Sequence, residues 1–517
     1  MSKKLLKSTA IVSIMTLISR VSGLVRDVVM ANVLGSGALT DAFFVAFRIP
    51  NFLRRIFGEG AFSQAFVPVF SELTERNTQE AKEFVNASAG VLASATLLLA
   101  LFGAYFAPFL VGLYAPGFEE DPETFKTAVD SLRIMFPFLF CISLVAMSGA
   151  ILNTLNRFAV PAVTPVLLNL CMILAMWLLV PQLDNAATAL AFGVLLAGFI
   201  QLAFQIPSLL KEGYFPKFTL DLNNSSVKRL FLLMLPAVFS VSVAQINMFV
   251  NTFLASFLIS GSISWLYYSD RLMEFPVGVF GIALATVVLP SLSKEHASGS
   301  RESFSAMMDW ALRWVILIAA PATVALFLLA APLITTIFQY GKFTEHSAHM
   351  SALALQAFSL GVCGFIFVKV LAPGFFARQD TKTPMKIGVV SVLVNIVCSI
   401  VLVRYLQHTG LALAISIAAW VNAILLFATL LTRGVYSPQR GWFLFLLKVT
   451  LAVLVMGACL LFFDQPIEFW FARSLIERCG YLALIVGAGA LSYFVTLFIL
   501  GIRPQQLLLA PNVGTDN

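Results

Sequence analysis

Charge is what this chain has least of. Asp, Glu, Lys and Arg make up 11% of its 517 residues, against roughly 25% in a soluble domain, and that shortage excludes a solvated globular fold. Histidine is scarce as well, at four residues, and the six cysteines include no Cys-x-x-Cys pair, so neither a metal centre nor a disulfide framework is indicated. His346 and His349 have a spacing that suits a metal ion, but no third ligand accompanies them. A Walker loop is missing, which speaks against ATP as the direct energy source. No Ser-His-Asp set can be assembled from the apolar segments, so enzymatic chemistry is not expected. The alternating ten-residue segments of a membrane β-barrel are also lacking.

What is present is apolar and long. Hydrophobic residues make up 59% of the chain, and runs long enough to cross a hydrocarbon core of about 30 Å as helices recur from end to end. The pattern predicts an all-α polytopic membrane protein with about fourteen transmembrane helices: 9–33, 42–70, 84–113, 131–153, 159–180, 187–209, 229–259, 263–291, 304–330, 350–374, 385–405, 410–432, 441–463 and 480–502. The basic, apolar start resembles a signal peptide, but no small-x-small cleavage site follows, and it is expected to stay as the first helix. Lys and Arg collect in one set of connections, among them Lys3, Lys4, Lys7, Arg76, Lys82, Lys211, Lys217, Arg433 and Arg440. The opposite set holds only Lys126, Lys342, Arg404, Arg473 and Arg478. By the positive-inside rule both termini are cytoplasmic. The formal net charge of +7 follows from that topology and implies no nucleic-acid partner.

A repeat lies under the hydropathy. Arg48 is followed nine residues later by Phe57-Gly58, and Arg271 nine residues later by Phe280-Gly281, an offset of 223 residues from Arg48 to Arg271. The same offset carries "RFAVP" at 157–161 onto "DTKTP" at 380–384, and nearly the same one carries "APF" at 107 onto "APL" at 331. These matches imply two six-helix lobes, 1–225 and 226–434, in parallel orientation because six is even, with two additional helices in 435–517. Parallel repeats of this kind are common in alternating-access transporters.

The charges that remain in the apolar runs are costly. A central arginine facing lipid costs about 2.5–3.5 kcal/mol, so half a dozen would cost on the order of 15–20 kcal/mol; they must face water or one another. Arg20 and Asp27 are seven apart on one face of the first span, with Arg26 turned about 120° away. Arg48, Arg55 and Glu59 align at i, i+7 and i+11 in the second, with Arg54 beside them. Asp270 and Glu274 stand at i and i+4 in the eighth, next to Arg271. Internal pairing, of Arg20 with Asp27, Arg55 with Glu59 and Arg271 with Glu274, is the plain alternative, and it leaves Arg26, Arg48 and Arg54 without an obvious partner on their own helices. A guanidinium never deprotonates and grips phosphate in bidentate fashion, so the set points to an anionic, phosphorylated substrate. Asp41 reads equally well as an N-cap or as part of the site. Lys369 is placed to snorkel to the interface. Asn247, Asn251, Asn395 and Asn422 read as helix–helix hydrogen bonders rather than ion ligands.

Four segments, "SRVSGLVRD", "TDAFFVAFRIPNFLRRIFGEGAFSQAFVPVFSE", "WLYYSDRLMEFPVGVFGIALATVVLPSLS" and "VKVLAPGFFARQDTKTP", resemble the bacterial MurJ (MviN) lipid II flippase family. The resemblance runs over nearly the whole chain. It implies the multidrug/oligosaccharidyl-lipid/polysaccharide exporter fold, with a groove for a polyprenyl tail at the last two helices. It implies movement of undecaprenyl-diphosphate disaccharide-pentapeptide, lipid II, from the cytoplasmic to the periplasmic leaflet of the inner membrane in peptidoglycan synthesis. By motif position it assigns cavity charges to Arg20, Arg26, Asp41, Arg54, Arg55, Glu59 and Arg271, with Asp27, Asp270 and Glu274 in the same motifs; Arg48 stands where the family pattern has lysine. The acids through which some members couple to sodium, in the seventh and twelfth spans, are missing here. That speaks against sodium coupling, leaves the membrane potential as the drive, and calls for no cofactor. Expected partners are lipid II, the bilayer and other cell-wall synthesis proteins. A flippase for another polyprenyl-diphosphate glycan or a drug exporter of the same fold are the nearest rivals. A membrane glycosyltransferase would need catalytic side chains on an outer loop, and a scaffold would have no use for buried arginines.

Overall fold

A computed structural model describes residues 3–55, 60–297 and 300–502, with the side chains of 3–13, 239–241, 243–244 and 282 outside the description. Phe57, Gly58 and Glu59 therefore lie outside the described residues. Among those described, every regular element is helical.

The chain runs through α1 (Lys3–Leu34), α2 (Ala38–Arg54), α3 (Ala61–Arg76), α4 (Thr78–Tyr105), α5 (Ala107–Tyr114), α6 (Pro122–Thr154), α7 (Ala159–Leu178), α8 (Ala186–Glu212) and α9 (Ser225–Ala255). It continues through α10 (Ser262–Pro276), α11 (Ile282–Ala297), α12 (Arg301–Leu328), α13 (Ala330–Phe338), α14 (Glu345–Ser359), α15 (Val362–Phe376), α16 (Lys382–Thr432), α17 (Trp442–Phe463), α18 (Ile467–Phe471) and α19 (Leu475–Ile499). Ten of the helical stretches are long and apolar enough to cross a membrane. The 51-residue α16 holds two crossings, because Gln407 breaks it with φ 50° and ψ −130°. The charge-bearing α1, the α2–α3 pair and α9 complete the fourteen expected segments.

Helix ends follow local chemistry. Asn77, Asp121, Asn185, Asn224, Ser300 and Thr344 accept backbone N–H bonds at the starts of α4, α6, α8, α9, α12 and α14, satisfying donors that the first turn leaves open. Ser474 and Glu477 form a reciprocal capping box at α19. Prolines inside the helices, among them Pro50, Pro137, Pro236 and Pro373, are tolerated where neighbouring helices and polar side chains re-satisfy the freed carbonyls.

Two spans read as continuous are broken. In the second, α2 ends at Arg54, and Gly60 N–H donates to Arg55 O, a bond five residues back. The eighth contains a π turn, Val277–Gly281. That turn falls at the repeat-related Phe280-Gly281 sequence, and π turns commonly sit at functional positions.

Other local features recur at the same offset. Asn156 and Gln379 both adopt positive φ, 61° and 60°; Asn and a few other polar residues tolerate this left-handed region at modest cost. Phe106 and Leu329, which separate α4 from α5 and α12 from α13, have φ/ψ of −89°/16° and −94°/16°. Arg157 pairs with Glu212 at 2.8 Å and Asp380 with Arg433 at 2.8 Å, the same brace with its charges exchanged. In this second connection the Thr383 hydroxyl, with help from Arg433, holds the Asp380 carboxylate below its usual range.

The chain divides into two compact units, 1–264 with 340–343, and 265–339 with 344–517. In the first, the long α6 packs against α8, α2 and α4, α1 lies on α7, and α9 packs chiefly against α3. A stack of Phe62, Phe66, Phe70 and Phe84 fills its core. In the second, α12 and α16 pack on α15, while α17 and α19 pair and dock onto α12 and α13 around Trp470, Tyr493 and Met456.

Candidate functional site

In the first unit the arginines of α1 and α2 meet different fates. Arg20 is exposed, whereas Arg26 and Asp27 are buried at 5% and 0% exposure. Arg26, not Arg20, is the partner of Asp27: its Nη2 lies 2.6 Å and its Nε 3.0 Å from one Asp27 oxygen. This replaces the alternative pairing of Arg20 with Asp27 and gives Arg26 the partner that the sequence did not show. Adjacent residues on a helix point about 100° apart, but the guanidinium stem is long enough to fold back, and burial makes neutralisation obligatory. Nη1 also donates to Asn169 Oδ1 of α7 at 3.1 Å, and Asn169 in turn donates to Ser22 Oγ and Ser19 O. Arg26 is thus locked between α1 and α7.

Arg48, Arg54 and Arg55 each donate to a neutral oxygen. Arg48 Nη1 donates to Thr252 Oγ1 at 2.6 Å, Arg54 Nε to Asn51 Oδ1 at 3.0 Å, and Arg55 Nη1 to Gln245 Oε1 at 3.0 Å. Thr252 and Gln245 belong to α9. Arg48 is half-buried and Arg55 exposed, and a guanidinium does not deprotonate. Glu59, proposed to align with Arg55, lies outside the described residues.

Asp41 does not cap its own helix, whose first turn begins at Gly37. Its carboxylate accepts from Gly261 N–H at 2.7 Å, from Ser264 N–H at 2.8 Å and from the Ser264 hydroxyl. It therefore caps the start of α10 from within the first unit, a partner that lies too far along the chain to be read locally.

In the second unit Arg271 Nη1 approaches Glu274 Oε2 at 3.4 Å and its guanidinium lies 5.8 Å from the Tyr267 ring. Asp270 is half-buried in the same turn of helix. The pair expected from sequence is present but long and solvent-accessible, which makes it weak. Lys369 of α15 is exposed, and its stem lies against Gly281 at the π turn, where a Cβ on the glycine would meet Lys369 Cγ at 3.3 Å. Gly281 thus leaves room for the lysine stem beside the helix that carries Arg271.

Gln245, Thr252 and Asn169 were not singled out from sequence, because neutral polar residues in an apolar run read as ordinary helix–helix glue. The usable signal was the seven-residue spacing of Gln245 and Thr252, matching that of Arg48 and Arg55.

Many helical crossings, some of them carrying arginine, define a polytopic membrane transporter. A solved inward-facing MATE-family multidrug resistance transporter of the MOP superfamily matches with a TM-score of 0.67, over 82% of this chain and 97% of its own; at 14% identity the likeness shows the fold alone. A solved lipid II flippase MurJ in an inward closed conformation matches with a TM-score of 0.80 at 28% identity, over 94% of this chain and 98% of that one. A probable lipid II flippase MurJ from Vibrio cholerae is 43% identical over 517 residues, 98% of each chain. The family profile described as lipid II flippase MurJ matches residues 30–479. The chain belongs to the MurJ lipid II flippase family.

Proposed function

We propose that this protein moves lipid II from the cytoplasmic to the periplasmic leaflet of the bacterial inner membrane by alternating access. It is a multi-pass membrane transporter, not an enzyme. The observation that carries the reading, besides family membership over the whole chain, is the set of arginines that donate to neutral oxygens. Arg48 and Arg55 are oriented by a hydroxyl and an amide oxygen in the membrane-spanning part of the chain. A diphosphate supplies the charge-assisted bonds that such groups favour. A cationic drug would need carboxylates, and α9 and α16 carry no Asp or Glu.

Arg20 and Arg271 belong to the same cationic set, with Asp41, Glu59, Asp270, Glu274 and Lys369 tuning or bracing it, while Arg26 is committed to Asp27. Two six-helix lobes, 1–225 and 226–434, are supported by the recurring geometry at Asn156 and Gln379 and at Phe106 and Leu329. The paired α17 and α19 are the place for the polyprenyl tail. Both termini face the cytoplasm, in keeping with the distribution of Lys and Arg. The membrane potential favours outward passage of the anionic head by about 2.3 kcal/mol per charge per 100 mV, and no cofactor or sodium ion takes part. Depleting the protein in cells and labelling lipid II from the periplasmic side tests the function. Lipid II should accumulate out of reach of the label, and unchanged labelling would refute the reading.

A further inference from the structure

Arg48 and Arg55 are seven residues apart on α2, and Thr252 and Gln245 are seven apart on α9. Seven residues is close to two helical turns, so each pair shares one face. The two bonds, Arg48 to Thr252 at 2.6 Å and Arg55 to Gln245 at 3.0 Å, form two rungs of one ladder read in opposite chain directions. The acceptors are fixed: Thr252 is fully buried and Gln245 is 6% exposed. The Thr252 hydroxyl gives its proton to Met248 O at 2.7 Å, which leaves its lone pairs for Arg48. Among the described residues, no carboxylate pairs with either arginine.

The neutrality of the acceptors matters. A hydrogen bond from guanidinium to an amide or hydroxyl oxygen orients the fork without cancelling its charge, and it is weaker than a bond to a phosphate oxygen. A carboxylate in the same place would compete with the incoming anion on equal terms. Arg26 shows that alternative within the same unit: paired to Asp27 and buried, it is committed.

We propose that Gln245 and Thr252 are positioning residues, neutral rests that hold Arg55 and Arg48 extended and charged until a diphosphate head displaces them. The proposal rests on the reading that these arginines take the substrate's diphosphate, and it adds that the uncharged character of the α9 partners sets the affinity.

Full-length protein in phosphatidylcholine nanodiscs, titrated with lipid II carrying a farnesyl chain, tests it. Gln245→Glu, nearly identical in shape, should weaken binding by at least about tenfold, because a carboxylate beside a guanidinium in a partly desolvated site is strongly attracted. Gln245→Met, neutral and similar in size, should weaken it by no more than about threefold, the loss of one oriented hydrogen bond. Thr252→Asp should repeat the Gln245→Glu result at Arg48. Both acidic variants should still show a cooperative melting transition in the nanodiscs, so that a binding loss is not a loss of fold. Unaltered binding by both acidic variants, or equal losses in Gln245→Met and Gln245→Glu, overturns the proposal. Arg55→Ala separates the two levels. If it binds normally, the arginine reading and the proposal both fall; if it binds poorly while the acidic variants bind normally, only the neutral rests fall.

Discussion

Asp27 carries more of the first helix than its position suggests. Its side chain is fully buried and two nitrogens of Arg26 converge on one of its oxygens. Removing one member of a buried ion pair typically costs about 3–5 kcal/mol, because the survivor keeps its desolvation penalty. Asp27→Asn should therefore lower the melting temperature of the purified protein clearly, while Arg20→Ala, at an exposed position, should leave it nearly unchanged. Equal melting temperatures for the two variants would contradict the pairing. This is also where sequence reasoning misled. A helical wheel separates residues 26 and 27 and unites 20 and 27, but it says nothing of the reach of an arginine stem or of Asn169 on a helix more than a hundred residues away.

At the level of elements, most crossings were legible because a long apolar run has few alternatives in lipid. The breaks within them were not. Gly and Pro are spread through this chain, so the π turn at Val277–Gly281 could not be told from uninterrupted helix until its hydrogen bonds were seen. The internal repeat marked Phe280-Gly281 without saying what happens there. Gln407 is the most strained of the breaks, a non-glycine residue at φ 50° and ψ −130°. Such conformations cost about 1–3 kcal/mol, so Gln407→Gly should raise stability by about 1 kcal/mol even after glycine's own entropic cost. Thermal melting in detergent reads this directly, and an unchanged or lower melting temperature would show that the backbone there is relaxed.

In the whole molecule, what matters is charge that is retained. The cationic set was visible in the sequence because an arginine in an apolar run is expensive and therefore functional by default. Its supports on α9 were not visible, because an amide or hydroxyl in a helix carries no signature of what it meets. If the anionic head moves down the membrane potential, collapsing that potential in proteoliposomes should slow outward movement, and replacing sodium with choline should leave it unchanged. A strict sodium requirement would contradict the coupling inferred from the acid-free α9 and α16.

The most direct test is lipid II translocation by purified protein in proteoliposomes, compared with a form in which Arg48 and Arg55 are both replaced by glutamine. The unaltered protein should carry labelled lipid II across the bilayer, and the doubly substituted one, still folded and inserted, should not. Translocation at the same rate by both would mean that the diphosphate is not held by these guanidinium groups.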